Sequence, residues 1–189
     1  MGRVILVKHA LPVLSADVPS NRWVLSAAGQ ESCRALAAGL RGQGVRRLYA
    51  SLEPKALETA ARVAVELGLD VRPRVDLHEN DRTDLGFPPL TDLERLIERF
   101  FDEPEALVMG RETASAALAR FAAAVRAIAD ESEDAPAAIV AHGTVITLFL
   151  AQHAGVEPFA LWKEFGLACF VVLEGQDLSW DGVIRRPSS

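Results

Sequence analysis

Arg3-Val4-Ile5-Leu6-Val7-Lys8-His9 is an apolar run that stops at a cation followed by an imidazole, and its reading decides the fold. Four consecutive apolar side chains with no polar alternation read as a strand buried on both faces, the pattern of a parallel sheet covered by helices on each side. The strand delivers Lys8 and His9 to its carboxyl end, and in open α/β sheets ligands bind in the crevice outside those ends. The arrangement recurs at Ala137-Ala138-Ile139-Val140-Ala141-His142-Gly143. Two buried strands, each ending in histidine, are the central observation.

Outward from the first strand, 10–25 reads as a loop beside the strand end, and Ser26 is placed to cap a helix over 27–40 that Gly42 and Gly44 end. A strand at 45–49 turns through Pro54, which suits a first helical turn, into a helix carrying Val63 and Leu67 and stopped by Gly68. A strand at 70–75 follows. Strand, helix, strand, helix, strand indicates a parallel sheet with right-handed crossovers. The alternation breaks at about 77–112, which reads as a helical insertion near the site, with a helix at 90–101 and the topology of a partial lid. A long helix over 112–128, the strand 137–141 and an apolar helix over 145–154 restore it. A short helix at 157–165, with Trp162 under the sheet, and two edge strands at 168–173 and 178–184 complete the chain. The expected class is α/β: a three-layer α/β/α sandwich on a mostly parallel, doubly wound sheet, in one domain over 1–189.

A chain of 189 residues supports one substantial core, and 50% hydrophobic with 24% charged residues is the ordinary balance of a globular protein. The net charge of −6, with no basic stripe, argues against a nucleic-acid partner. The apolar runs are too short to span a bilayer, the amino terminus does not read as a secretory signal, and Cys33 and Cys169 read as reduced core thiols. A cytoplasmic protein without a membrane partner is the expectation.

Strand ends converge on one rim, so His9 and His142 can share a site. Two neutral imidazoles with lysines nearby suit phosphoryl transfer: one ring attacks phosphorus while the other and the cations hold the charged oxygens. A metal site would need three or four ligands, and neither histidine has a His-x-x-x-His partner or a carboxylate cluster beside it, so phosphate ranks above metal. Gly143 and Thr144 open a helix, which would let their N–H groups face an anion.

These residues resemble the histidine phosphatase superfamily, which includes the cofactor-dependent phosphoglycerate mutases. Leu6-Val7-Lys8-His9-Ala10 is similar to the family's strand followed by Arg-His-Gly, and Leu25-Ser26-Ala27-Ala28-Gly29 to its Leu-Thr-x-x-Gly. The segment from Ala50 to Ala60 is similar to Ser-Ser-Pro-x-x-Arg-Ala-x-Gln-Thr-Ala without gaps. Leu77-His78-Glu79 resembles Leu-x-Glu, Gly110-Arg111-Glu112-Thr113 resembles Gly-Glu-Ser, and Ala141-His142-Gly143 resembles Ser-His-Gly.

The resemblance implies a phosphoglycerate mutase-like fold and a phosphatase that needs no metal or cofactor. It makes His9 the nucleophile, Glu79 the acid and His142 a phosphoryl-holding group, with Lys8, Lys55, Gly143 and Thr144 binding phosphate. The implied substrate is a small phosphomonoester or a phosphorylated protein side chain; oligomeric state is left open. The departures are Lys8 and Lys55, which stand where the family has phosphate-binding arginines and exchange planar forks for point charges, and Ala10 in place of glycine. Asp81 and Arg82 lie where relatives continue toward a Gly-x-x-Glu-Gly segment that has no counterpart here. The lysines favour, as an alternative, a weak or inactive relative that binds a phosphorylated ligand or partner. A phosphoglycerate mutase ranks lower because the insertion is short, and a scaffold whose histidines only pack ranks lowest.

Overall fold

The structure, a computed structural model, describes residues 2–187. Six strands form one sheet in the order β3-β2-β4-β1-β5-β6. They are β1 (Val4–Lys8), β2 (Arg47–Ser51), β3 (Val71–Arg74), β4 (Ala137–Ala141), β5 (Phe170–Glu174) and β6 (Ser179–Trp180). β1 to β4 are parallel, whereas β5 and β6 run antiparallel at one edge. The expected α/β sandwich with a mostly parallel sheet is therefore the fold. The last strand is shorter than the 178–184 expected: only Ser179–Trp180 pairs continuously, and one isolated bridge joins Phe170 to Arg185.

β1 is buried on both faces because its side chains alternate between two cores. Val4 and Leu6 pack with α4 (Ala114–Glu131) and α5 (Gly143–Ala154), while Ile5 and Val7 pack with α1 (Ala27–Gly42) and α2 (Pro54–Leu67). Each such side chain contributes about 1.5–3 kcal/mol over an exposed one. The first core also takes in Ile97, Phe100 and Phe101 of α3 (Leu90–Asp102) and Leu161 of α6 (Pro158–Glu164). Trp162 is only partly buried there and stacks on Phe159 at 6.1 Å.

Local chemistry sets the helix ends. The Ser26 side chain accepts from the Gly29 N–H, as expected of a cap, and Gly68 terminates α2 in the left-handed region. Gly29 has a second duty: a Cβ there would lie 2.1 Å from the Leu11 carbonyl oxygen, so only glycine lets the 10–25 loop lie on α1. That loop is tied to α2 by the Leu25 N–H, which donates to Glu58 at 2.8 Å. Its Trp23 meets Phe87 of the segment after β3 edge-on at 5.8 Å.

Candidate active site

Strand register brings His9 and His142 together across more than a hundred residues of chain. β1 and β4 are parallel neighbours with Lys8 opposite Ala141, so each histidine is the first residue beyond the same rung. The His9 N–H donates to the Ala141 carbonyl at 3.1 Å and holds that rung closed. The ring centroids lie 5.3 Å apart at an interplanar angle of 59°, and both residues are buried.

Hydrogen bonding fixes how each ring presents itself. His9 Nδ1 lies 2.8 Å from the Ala10 carbonyl oxygen. A carbonyl only accepts, so Nδ1 carries the proton and Nε2 keeps its lone pair. Burial first, then His142 and Lys55, hold the His9 pKa well below the ordinary imidazole value. His142 Nε2 is 2.8 Å from the Ser51 hydroxyl and 3.6 Å from a Glu53 carboxylate oxygen. Its Nδ1 is buried with no hydrogen-bond partner among the described residues. Burial, followed by Lys55, holds His142 well down as well, so both rings are neutral at neutral pH.

Glu79 comes from the turn that follows β3 and meets the start of α5. Its carboxylate accepts from the Thr144 N–H at 3.1 Å and the Val145 N–H at 3.2 Å, and Arg82 Nη2 lies 3.7 Å away. Burial pushes the carboxyl pKa up, but Arg82, His142 and the Thr144 N–H together outweigh it, and the pKa is lowered. The anion held by the N-terminus of α5 in this structure is therefore Glu79 itself, not an open position at Thr144.

Lys8 and Lys55 both reach this region, and both ammonium groups are engaged. Lys8 Nζ donates to the Phe165 carbonyl at 2.7 Å, and a Cβ on Gly143 would lie 3.0 Å from it, which places the cation against the start of α5. Burial lowers the Lys8 pKa. Lys55 Nζ donates to the Ser20 carbonyl at 2.7 Å and forms an ion pair with Glu53.

Three residues outside the expected set shape this arrangement. Glu53 pairs with Lys55 and also accepts the Glu79 N–H at 2.8 Å. Arg120 donates to the carbonyls of Asp76 and His78 at 2.8 and 3.0 Å and is anchored by Glu112 at 2.8 Å. Glu112 in turn accepts the Asp81 N–H at 3.3 Å, so the Gly110–Thr113 stretch braces the backbone on both sides of Glu79. Gly110 makes that approach possible: its φ is +72°, and a Cβ would sit 1.9 Å from the Asp81 carbonyl oxygen. The sequence carried only faint signs of these contacts, a carboxylate two residues before Lys55 and a Glu–Arg spacing of eight at the start of a helix.

Among the described residues, no group of three or more His, Cys, Asp and Glu side chains is arranged to hold a metal ion, and no helix is long and apolar enough to cross a membrane. Cys33 and Cys169 are free and buried, and burial pushes both thiols up to about 11.

Two neighbouring parallel strands presenting neutral, buried imidazoles at their ends, with a carboxylate and cations around them, define the two-histidine class of phosphoryl-transfer proteins. The chain belongs to the histidine phosphatase superfamily, branch 1, whose family model matches residues 5–184. Phosphatase chemistry through a phosphohistidine is the function that accompanies this family. No curated protein sequence is significantly similar to the chain. Solved structures with the same fold include a mycobacterial glucosyl-3-phosphoglycerate phosphatase, 21% identical with 99% of each chain covered and a TM-score of 0.77. A mutant phosphoserine phosphatase from Entamoeba histolytica in complex with phosphoserine is 15% identical over 96% of this chain and 98% of that one, with a TM-score of 0.77. YhfR of Bacillus stearothermophilus is 19% identical over 95% and 94%, again with a TM-score of 0.77.

Proposed function

We propose that this chain is a metal-independent phosphoric monoester hydrolase with His9 as nucleophile, acting on a small phosphorylated molecule. The observation that carries the reading is the His9 ring: neutral, fixed by Ala10 with its Nε2 lone pair free, and 5.3 Å from a second neutral imidazole. His9 Nε2 attacks phosphorus, a P–N bond forms, and the P–O bond to the leaving group breaks as Glu79 donates its proton to that oxygen. Water then attacks the phosphohistidine. Glu79 accepts a proton from the water, the P–N bond breaks, and inorganic phosphate leaves with His9 neutral again. His142 and Lys8 hold the phosphoryl oxygens, and the backbone around Gly143 and Thr144 positions Glu79 for both steps. The phosphorylated small molecules named for the glucosyl-3-phosphoglycerate and phosphoserine phosphatases support this substrate class over a phosphoprotein. The free, buried cysteines support a cytoplasmic setting.

A second reading, a binding module with little turnover, draws support from one contact: Glu53 pairs with the cation that would meet phosphate at Lys55. Turnover of p-nitrophenyl phosphate with and without a chelator separates the two. Chelator-insensitive hydrolysis that His9→Ala abolishes, with acid-labile phosphate on the wild-type chain, is expected. Phosphate binding without hydrolysis would leave the binding module.

A further inference from the structure

The two lysines in the arginine-like positions leave this pocket without an available fork. Lys8 Nζ is bonded to the Phe165 carbonyl, and Lys55 Nζ to Glu53 and the Ser20 carbonyl. One guanidinium beside Glu79 is differently situated. Arg82 approaches Glu79 only loosely, with Nη2 3.7 Å from Oε2. Its Nη1 is buried and, among the described residues, has no hydrogen-bond partner. Asn80 beside it is 2% exposed, and neither its amide oxygen nor its nitrogen has a partner. Arg82 and Asn80 line one pocket of about 260 Å³ with Glu53 and Glu79. A buried guanidinium edge and a buried amide without partners are unfavourable unless a ligand's oxygens and hydrogens meet them.

A series of contacts ties this pocket to the reacting groups. Arg82 faces Glu79 Oε2, that oxygen is 3.1 Å from the Thr144 N–H, and Thr144 follows the glycine against which Lys8 Nζ rests. The Arg82 charge acts on Lys8, Glu79 and His142 alike. Resting on the hydrolase reading above, we infer that Arg82 is the guanidinium of this phosphate site: it turns away from Glu79 and brings its free Nη1 edge onto the phosphoryl oxygens of the substrate, with the Asn80 amide beside it. The same movement removes from Glu79 a cation that holds it charged, just as a phosphoryl dianion arrives, so substrate binding readies Glu79 to carry a proton. A fork supplied from the turn after Glu79 thus takes the place of the forks missing at 8 and 55.

The test uses the full chain and Arg82→Ala, Arg82→Lys and Arg82→Gln. Inorganic phosphate binding is measured by calorimetry and p-nitrophenyl phosphate hydrolysis by steady-state kinetics. Loss of one charge-assisted pair predicts phosphate affinity and kcat/KM lower by about tenfold to a hundredfold in Arg82→Ala. Free guanidinium ion added to Arg82→Ala should recover part of both, and Arg82→Lys should fall between wild type and Arg82→Gln. Wild-type phosphate affinity in Arg82→Ala overturns the inference. So does a loss that guanidinium does not relieve and that comes with a lowered melting temperature in all three variants. If the wild type hydrolyses the ester but Arg82 variants match it, this inference falls and the hydrolase reading stands. If the wild type binds phosphate through Arg82 without hydrolysis, the reverse holds. Absence of any phosphate binding by the wild type overturns both.

Discussion

Glu79 rests as a carboxylate, whereas a group that protonates a leaving oxygen must carry a proton. Its backbone partners at Thr144 and Val145 and the nearby Arg82 all favour the charged form. The acid form is therefore scarce at neutral pH, and hydrolysis of alkyl phosphates should decline as pH rises from the acid side. Aryl phosphates, whose phenolate departs without a proton, should show a flatter profile. Glu79→Gln keeps the shape and removes the proton, so kcat/KM on an alkyl phosphate should fall by about 10²–10⁴ while an aryl phosphate loses far less. Steady-state kinetics on the two ester types across pH decides this. Equal losses on both would remove Glu79 from the role of acid.

The elements around the site depend on close backbone approaches. The 10–25 loop supplies the Ser20 carbonyl to Lys55 and lies on α1 through Gly29. Gly29→Ala drives a Cβ into the Leu11 carbonyl and should cost about 1–3 kcal/mol in urea unfolding, as overpacked sites do. Gly42→Ala, in the same helix with nothing within 4 Å of the added carbon, is the matched control. It should be neutral or gain up to about 1 kcal/mol from helix propensity. Equal behaviour of the two variants would show that loop and helix slide apart freely. Before and after Glu79, Arg120 and Glu112 brace its turn by the same logic, using side chains where Gly29 uses the absence of one.

At the scale of the molecule, burying two neutral histidines makes stability depend on acid. Both imidazoles have folded pKa values well below the unfolded value of about 6.5. Above that pH neither state binds the protons, and the histidines cost nothing. As pH falls below it, the unfolded chain takes up protons that the folded chain refuses, so stability drops until the folded pKa is reached. The limiting slope is about 1.4 kcal/mol per pH unit for each histidine. Glu79, with its lowered pKa, adds its own loss only below about pH 4.3. Urea midpoints at pH 7, 6 and 5 should fall steadily, and His142→Asn should flatten the decline. A midpoint unchanged between pH 7 and 5 would show that the rings are not buried neutral.

What the sequence determined by itself was the layering. The continuous apolar runs at β1 and β4 demand helices on both faces, and Ser26, Pro54 and Gly68 mark helix boundaries through local backbone chemistry that needs no tertiary partner. The candidate histidines were legible for the same reason, since a strand end is a local feature and parallel strands share a rim. The brief pairing at β6 was not legible, because the pairing is interrupted around Gly182, whose φ is +77°, and is met again only at the Phe170–Arg185 bridge. Only the tertiary structure decided the electrostatics. Phe165 on Lys8, Ser20 on Lys55 and Glu79 on the start of α5 each join segments whose separation along the chain has no fixed relation to their contact in space. A sequence shows that a lysine carries charge, but packing decides whether that charge is free to meet a phosphate.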